Sequence, residues 1–204
     1  MSATVQRQAG NNGPLEESQG AAIWFTGLPG CGKSSIARAV RDALAVKGLP
    51  VIWLEMDRQR KIYVPHPQYT TEERHQAYAL FAKEAAQLVA EGHIVLMDGT
   101  APEKSMRNTA REQIERFAEV HIQCSLKTAM ERESKRPEGK VMAGLYAKAV
   151  KRKATGEQFE GLGEVIGVDT PFEVDPNAEL ILNSEELTVQ SARATVLRRF
   201  AAWL

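Results

Sequence analysis

The sequence predicts an α/β fold: a three-layer sandwich in which helices cover both faces of a mainly parallel, five-stranded sheet, with an added lid segment. Short apolar runs alternate with stretches of helical period, and the spacing between runs leaves room for a crossover helix each time. Strands joined in that way lie parallel and need cover on both faces. A glycine-rich stretch between the first run and the first helix is the third indication.

The polar stretch Met1 to about Gly20 has almost no apolar periodicity and reads as a flexible tail, which leaves 21–204 as one folded domain. Ala21 to Thr26 is the first apolar run, and the helical period that follows extends from Lys33 to about Lys47. Val51 to Glu55 reads as the second strand. The stretch from Tyr63 to Tyr69 holds Pro65 and Pro67 and cannot continue a helix. A long helix then spans Thr71 to Glu91, with Thr70 or Thr71 as its cap. His93 to Met97 is the third strand, Lys104 to Glu115 a helix, and Glu119 to Cys124 the fourth strand. Leu180 to Leu182 is the fifth, and an amphipathic helix from Val189 to Phe200 follows it. Between about 128 and 175 the pattern loosens into charged residues and glycines, with one helical piece around Gly144 to Ala154. Long loops of that kind are commonly functional, and this one reads as a lid.

Basic and acidic residues number 26 each, so no overall field draws the chain to nucleic acid or to an anionic membrane. Any bound anion must be held by local groups. No run is long and apolar enough to cross a bilayer, and no export signal is visible, so a cytoplasmic protein is expected. The two cysteines, Cys31 and Cys124, fit a reducing compartment and have no metal-ligand spacing. Trp203 packs on the sheet or on a partner subunit in this reading, which leaves a homodimer open.

Gly27-Leu28-Pro29-Gly30-Cys31-Gly32-Lys33-Ser34, followed by Ser35, matches the pattern G-x-x-x-x-G-K-[ST] in full and lies between a strand and a helix. Phosphates need several N–H donors converging from one side. Glycines let the backbone approach closely, and the helix beginning at Lys33 points its positive end at the anion. In this reading the segment is the phosphate cradle of a P-loop NTPase. ATP is the ligand, Lys33 bridges the outer phosphates, and the Ser34 hydroxyl is placed on Mg²⁺. A GTPase is disfavoured because no Asn-Lys-x-Asp segment occurs.

Two aspartates follow predicted strands: Asp57 after the second and Asp98 after the third. In open parallel sheets ligands sit beyond the carboxyl ends of strands, so both carboxylates should reach the transferring phosphoryl group. One would orient an acceptor hydroxyl and the other would serve the metal through water; the sequence leaves open which does which. The pattern predicts a small-molecule kinase.

From about Ala21 to Ser191 the chain resembles the adenylylsulfate (APS) kinases. Where that family has Asp-Gly-Asp-Asn-x-Arg, this sequence has Glu55-Met56-Asp57-Arg58-Gln59-Arg60, keeping Asp57 and Arg60. The family's Phe-Ser-x-Glu-Asp-Arg corresponds to Tyr69-Thr70-Thr71-Glu72-Glu73-Arg74, with Arg74 kept and Tyr69 in place of the stacking Phe. Gly144-Leu145-Tyr146-Ala147-Lys148-Ala149 is similar to its Gly-Leu-Tyr-Lys-Lys-Ala, and Gly167-Val168-Asp169-Thr170-Pro171-Phe172-Glu173 to its Gly-Ile-Asp-Asp-Pro-Tyr-Glu. The resemblance implies transfer of the ATP γ-phosphoryl group to the ribose 3′-hydroxyl of adenylylsulfate. Asp57 would orient the acceptor, and Arg60, Arg74 and Lys148 would grip its anions. Arg132 or Arg136 would cap the ATP.

The chain also departs from the family. The family's Phe-Ile-Ser-Pro is Gly99-Thr100-Ala101-Pro102 here, so Thr100 and Ala101 would border the acceptor in place of an isoleucine and a serine. Ala77 replaces an asparagine, Val165 or Ile166 falls where an aromatic ring would stack on the adenine, and residues 133–143 form an insertion. Two alternatives therefore stand beside the main reading. One is a kinase of the same build acting on another nucleotide-linked or sugar-phosphate acceptor; the other is an ATP-binding regulatory protein with little turnover.

Overall fold

The computed structural model describes residues 20–66, 70–135 and 144–204. In chain order the elements are β1 (Ala21–Thr26), α1 (Lys33–Val46), β2 (Val51–Glu55), α2 (Met56–Tyr63), α3 (Thr71–Ala90) and β3 (Ile94–Asp98). They continue with α4 (Lys104–Gln113), β4 (Phe117–Gln123), α5 (Leu126–Ser134), α6 (Leu145–Thr155), β5 (Leu180–Asn183) and α7 (Val189–Arg199). The five strands form one sheet in the order β2-β3-β1-β4-β5, and every pairing is parallel. Central β1 is buried along its whole length, as its unbroken apolar run requires.

Alternation along β1 divides the core. Ala22 and Trp24 face α3 and α4; Tyr78 and Phe81 of α3 and Phe117 at the start of β4 close around the indole, and Met106 of α4 belongs to the same cluster. Ile23 and Phe25 face α1 and α7, packing with Ile36, Val40, Leu44, Val196 and Phe200. A third, smaller cluster joins Ala129, Leu145, Tyr146, Ala149 and Val165, and it touches the second through Leu28 and Cys124. This small core ties the segment between β4 and β5 to the glycine-rich loop.

Thr70 caps α3 by accepting from the Glu73 N–H at 3.2 Å, and Ser125 and Thr188 cap α5 and α7 in the same way. Two helices were not expected. α2 has only Met56 buried and so carries no apolar stripe; what anchors it is polar, Gln59 and Tyr63 both hydrogen-bonding Glu84 of α3. α5 lies where the loose lid was expected to begin, and its buried residues are only Ala129 and Glu133. β4 starts at Phe117, two residues before the expected Glu119. Glu119 is a fully buried strand residue whose Oε1 accepts from the Thr26 hydroxyl at 2.7 Å, while Oε2 lies 3.1 Å from Nε of Arg107. Those two charges attract without straight hydrogen-bond geometry. Among the described residues no helix is long and apolar enough to cross a membrane.

Candidate active site

The loop between β1 and α1 turns back on itself through glycines with positive φ. At Gly27 (φ 131°) a Cβ would stand 2.4 Å from the Ile122 carbonyl oxygen, and at Gly30 (φ 88°) 2.4 Å from that of Ala129. Both neighbours are backbone and cannot yield, so only glycine fits. Lys33 opens α1 and is buried, its Nζ donating to the Leu28 carbonyl at 3.0 Å across the mouth of the loop. The Tyr146 hydroxyl of α6 donates to the Pro29 carbonyl at 2.9 Å, and Arg132 of α5 reaches the Cys31 carbonyl at 3.3 Å and both oxygens of Ser184 at 2.8 Å. Cys31 is fully buried and its thiol is pushed up by that burial, so it acts as a small apolar residue. Ser35 follows on the exposed side of α1.

Beside the loop, at the carboxyl ends of β1, β2 and β3, lies a cleft of about 260 Å³. Lys33, Ser34, Asp57, Asp98, Arg60, Arg74 and Thr100, picked out by sequence from separate segments, all line it, as does Pro29. Asp98 ends β3 in register with Glu55 of β2, is 7% exposed, and has the Ser34 side chain as a neighbour in the cleft. Burial raises its carboxyl, and the neighbouring Asp57 and Glu55 add to the rise, whereas Lys33 and Ser34 oppose it. Asp57 lies in the first turn of α2, with Arg60 in the same helix. Arg74 reaches the cleft from the first turns of α3, buried to 8% exposure.

The remaining predicted residues lie elsewhere. Ala101 is fully buried behind the wall at φ 43°; its N–H donates to the Tyr78 hydroxyl at 2.8 Å, and its carbonyl accepts from Arg107. Lys148 is exposed on α6 and is not part of the cleft wall. Leu28, Gly27, Gly30, Cys31 and Gly32 form the loop beside the cleft, and Arg132 backs it. Tyr69 and Arg136 fall outside the described residues.

Several cleft and supporting residues escaped the sequence reading. Tyr78 stands one helical turn beyond Arg74, a spacing that puts both on one face and could have revealed it. Glu119, a charge inside an apolar run, could have signalled the buried Arg107 pair. Glu55 also lines the cleft and ends β2, so the strand-end rule could have found it; Lys61 and Glu164 line it as well, and nothing in their local pattern marks them. The segment Thr170 to Glu173 is docked rather than loose: Phe172 stacks on His121 at 5.0 Å under the Arg107 guanidinium, and Glu173 accepts from the Lys104 N–H at 2.7 Å.

A glycine-rich loop opening a helix, two aspartates and two arginines lining one cleft bring together N–H donors and charges suited to phosphate-bearing molecules. Comparison with known proteins agrees. The family model for adenylylsulphate kinase matches residues 19–183. The probable adenylyl-sulfate kinase of Aeropyrum pernix is 32% identical over 84% of this chain and 87% of its own length. The adenylyl-sulfate kinase of Halothermothrix orenii is 31% identical over 90% of each. Among solved structures, the Mycobacterium tuberculosis APS kinase in complex with AMPPNP and APS superposes with a TM-score of 0.75 at 26% identity, covering 90% of this chain and 98% of that one. With the family model matched over residues 19–183 and relatives above 30% identity over most of their length, the chain belongs to the adenylylsulphate kinase family.

Proposed function

We propose that the protein transfers the γ-phosphoryl group of ATP to an alcohol, with the 3′-hydroxyl of adenylylsulfate as acceptor. The arrangement that carries this reading is the meeting of Lys33, Ser34, Asp98 and Asp57 in one cleft, with Arg60 and Arg74 beyond them. The order suits phosphoryl transfer, in which positioning and charge stabilisation supply most of the catalysis. Lys33 leaves the Leu28 carbonyl for the outer phosphates, and the loop amides hold the rest. Asp57, at the solvent-facing start of α2, accepts a hydrogen bond from the acceptor hydroxyl and aims its oxygen at the terminal phosphorus. Arg60 and Arg74 hold the acceptor's anionic groups through paired N–H donors.

The donor set beside the cradle fits Mg²⁺: a hydroxyl from Ser34 and a carboxylate from Asp98, which line the same cleft, are hard oxygen ligands of the kind this ion takes alongside water and phosphate. Bound there, the ion would neutralise charge on the phosphate oxygens. The charge of Lys33 meanwhile favours the ionised form of the buried Asp98 carboxylate.

A second reading, the same chemistry on a different anionic acceptor, is favoured by one observation. Val165 and Ile166 line the cleft where a ring would be needed to stack on a base, and Ala77 is buried beneath. Base stacking is worth roughly 1–3 kcal/mol, enough to change acceptor preference without touching phosphoryl transfer. ADP release measured with adenylylsulfate, other nucleotides and sugar phosphates tests both. Turnover greatest on adenylylsulfate supports the first reading, and turnover on another member of the panel supports the second. Magnesium-independent or absent ATP binding would overturn both.

A further inference from the structure

We propose that Glu164 tunes the affinity of the acceptor cleft: it is a built-in counter-ion on Arg74 that an acceptor's anionic group must displace in order to bind. The proposal rests on reading the cleft as the acceptor site. Arg74 is 8% exposed, and a guanidinium buried that far needs a partner, because desolvating an unpaired charge is costly. Both of its terminal nitrogens turn to one residue of the segment following α6. Nη2 donates to the Glu164 backbone carbonyl at 2.9 Å, and Nη1 meets the Glu164 carboxylate at 3.4 Å.

These two contacts differ in kind. The backbone contact is short and fixes the segment to α3. The side-chain contact is long, and the Glu164 side chain is 49% exposed. Its Oε2 is shared with the hydroxyls of Thr71 at 3.3 Å and Thr170 at 3.2 Å, neither of which is a tight hydrogen bond. A carboxylate held so loosely is readily exchanged, whereas charge-assisted bonds from arginine to sulfate or phosphate are typically about 2.7–2.9 Å and frequently bidentate.

Exchange at Arg74 has a consequence for selection. A neutral hydroxyl compound supplies no charge to replace the carboxylate, so it leaves the pair intact and gains nothing from Arg74. A free inorganic anion must displace Glu164 with no second anchor, and so binds weakly. An acceptor that carries an anion and also reaches Arg60 or Lys61 offsets the displacement with its other contacts. Glu164 thus lowers the affinity for every anion at Arg74 by a similar factor, so that only an acceptor with further anchors binds well.

The test is Glu164→Gln, which keeps the length and the hydroxyl contacts while removing the charge. Two quantities are measured on wild type, Glu164→Gln, Arg74→Ala and the double variant: the KM for adenylylsulfate, and the dissociation constant of inorganic sulfate by calorimetric titration of MgADP-loaded protein. Glu164→Gln is expected to lower both by about two- to fivefold, the range set by a partly exposed ion pair, and the gain should vanish when Arg74 is alanine. Unchanged or weaker sulfate binding in Glu164→Gln, or a gain that persists without Arg74, would overturn the proposal. If wild type binds sulfate as described but does not turn over adenylylsulfate, the choice of acceptor fails and the exchange at Arg74 stands.

Discussion

His121 determines how the fold answers acid. The ring lies in β4, 3% exposed and stacked on Phe172. Burial, followed by the charges of Arg107 and Lys33, holds its pKa down to about 4 from the ordinary 6.5. The folded value lies below the unfolded one, so the unfolded chain takes up the proton first as pH falls. Stability from this group is therefore complete above pH 6.5 and drains away between there and pH 4. The full loss is about 3 kcal/mol, of which about 2 kcal/mol is gone by pH 5. Asp98 and Glu119 act in the opposite sense: burial raises their carboxyls, so mild acid favours the folded form at those sites. For that reason the informative quantity is a difference between proteins. His121→Leu removes the titrating group and keeps an apolar surface for Phe172. Denaturant unfolding of both proteins at several pH values from about 7.5 to 5 should show wild type losing about 2 kcal/mol more than the variant across that range. Two stability curves that stay parallel would refute the reasoning, whatever constant offset the lost ring contacts introduce.

Lys33→Ala should lower kcat by at least about a hundredfold, since a preorganised charge at the transferring group is lost, and steady-state kinetics with saturating acceptor reads it. Asp98→Asn removes the carboxylate beside Ser34 in the cleft; the Mg²⁺ concentration needed for half-maximal velocity should rise, and a magnesium titration of the rate checks this. Gly30→Ala places a Cβ 2.4 Å from the Ala129 carbonyl oxygen at a positive φ, so ATP affinity should collapse and the melting temperature fall, with strain of at least about 1–2 kcal/mol. Thr70→Ala removes the α3 cap and should cost about 1 kcal/mol of stability by denaturant unfolding.

What the sequence made legible follows from what was local or periodic. All five strands were visible as apolar runs because a parallel sheet buries both faces, and β1 is buried at every position. The cradle was visible because every part of it lies within eight consecutive residues. Asp57 and Asp98 were found by a rule about where strands end, and they line the same cleft although 41 positions separate them in the sequence. α2 and α5 stayed hidden because each buries only one or two side chains and is fixed by polar bonds to distant residues, Glu84 for one and Glu185 for the other. Arg107 and Glu119 stayed hidden because twelve positions and an element boundary separate the partners of a pair that exists only once the sheet is assembled.

The departures at 56 and 99 show why motif differences misread one at a time become intelligible in space. Along the sequence they are two unrelated changes: a methionine where the resembled motif has glycine, and a glycine where it has phenylalanine. In the structure they are one. A Cβ at Gly99 would stand 3.1 Å from the Cβ of Met56 and 3.4 Å from the ring of Tyr78, and Met56 is itself 3% exposed. The volume that a side chain at 99 would need is filled from α2 instead. The Trp24 indole N–H donates to the Gly99 carbonyl at 3.2 Å and so holds the glycine backbone against the same aromatic cluster. Packing density is therefore kept while the wall beside Asp98 changes its source. A side chain supplied from the first residue of α2 fixes the start of that helix, which carries Asp57 and Arg60, more directly than one supplied from the loop after β3 would. The wall of the cleft beside Asp98 is thus set by packing in the core beneath it.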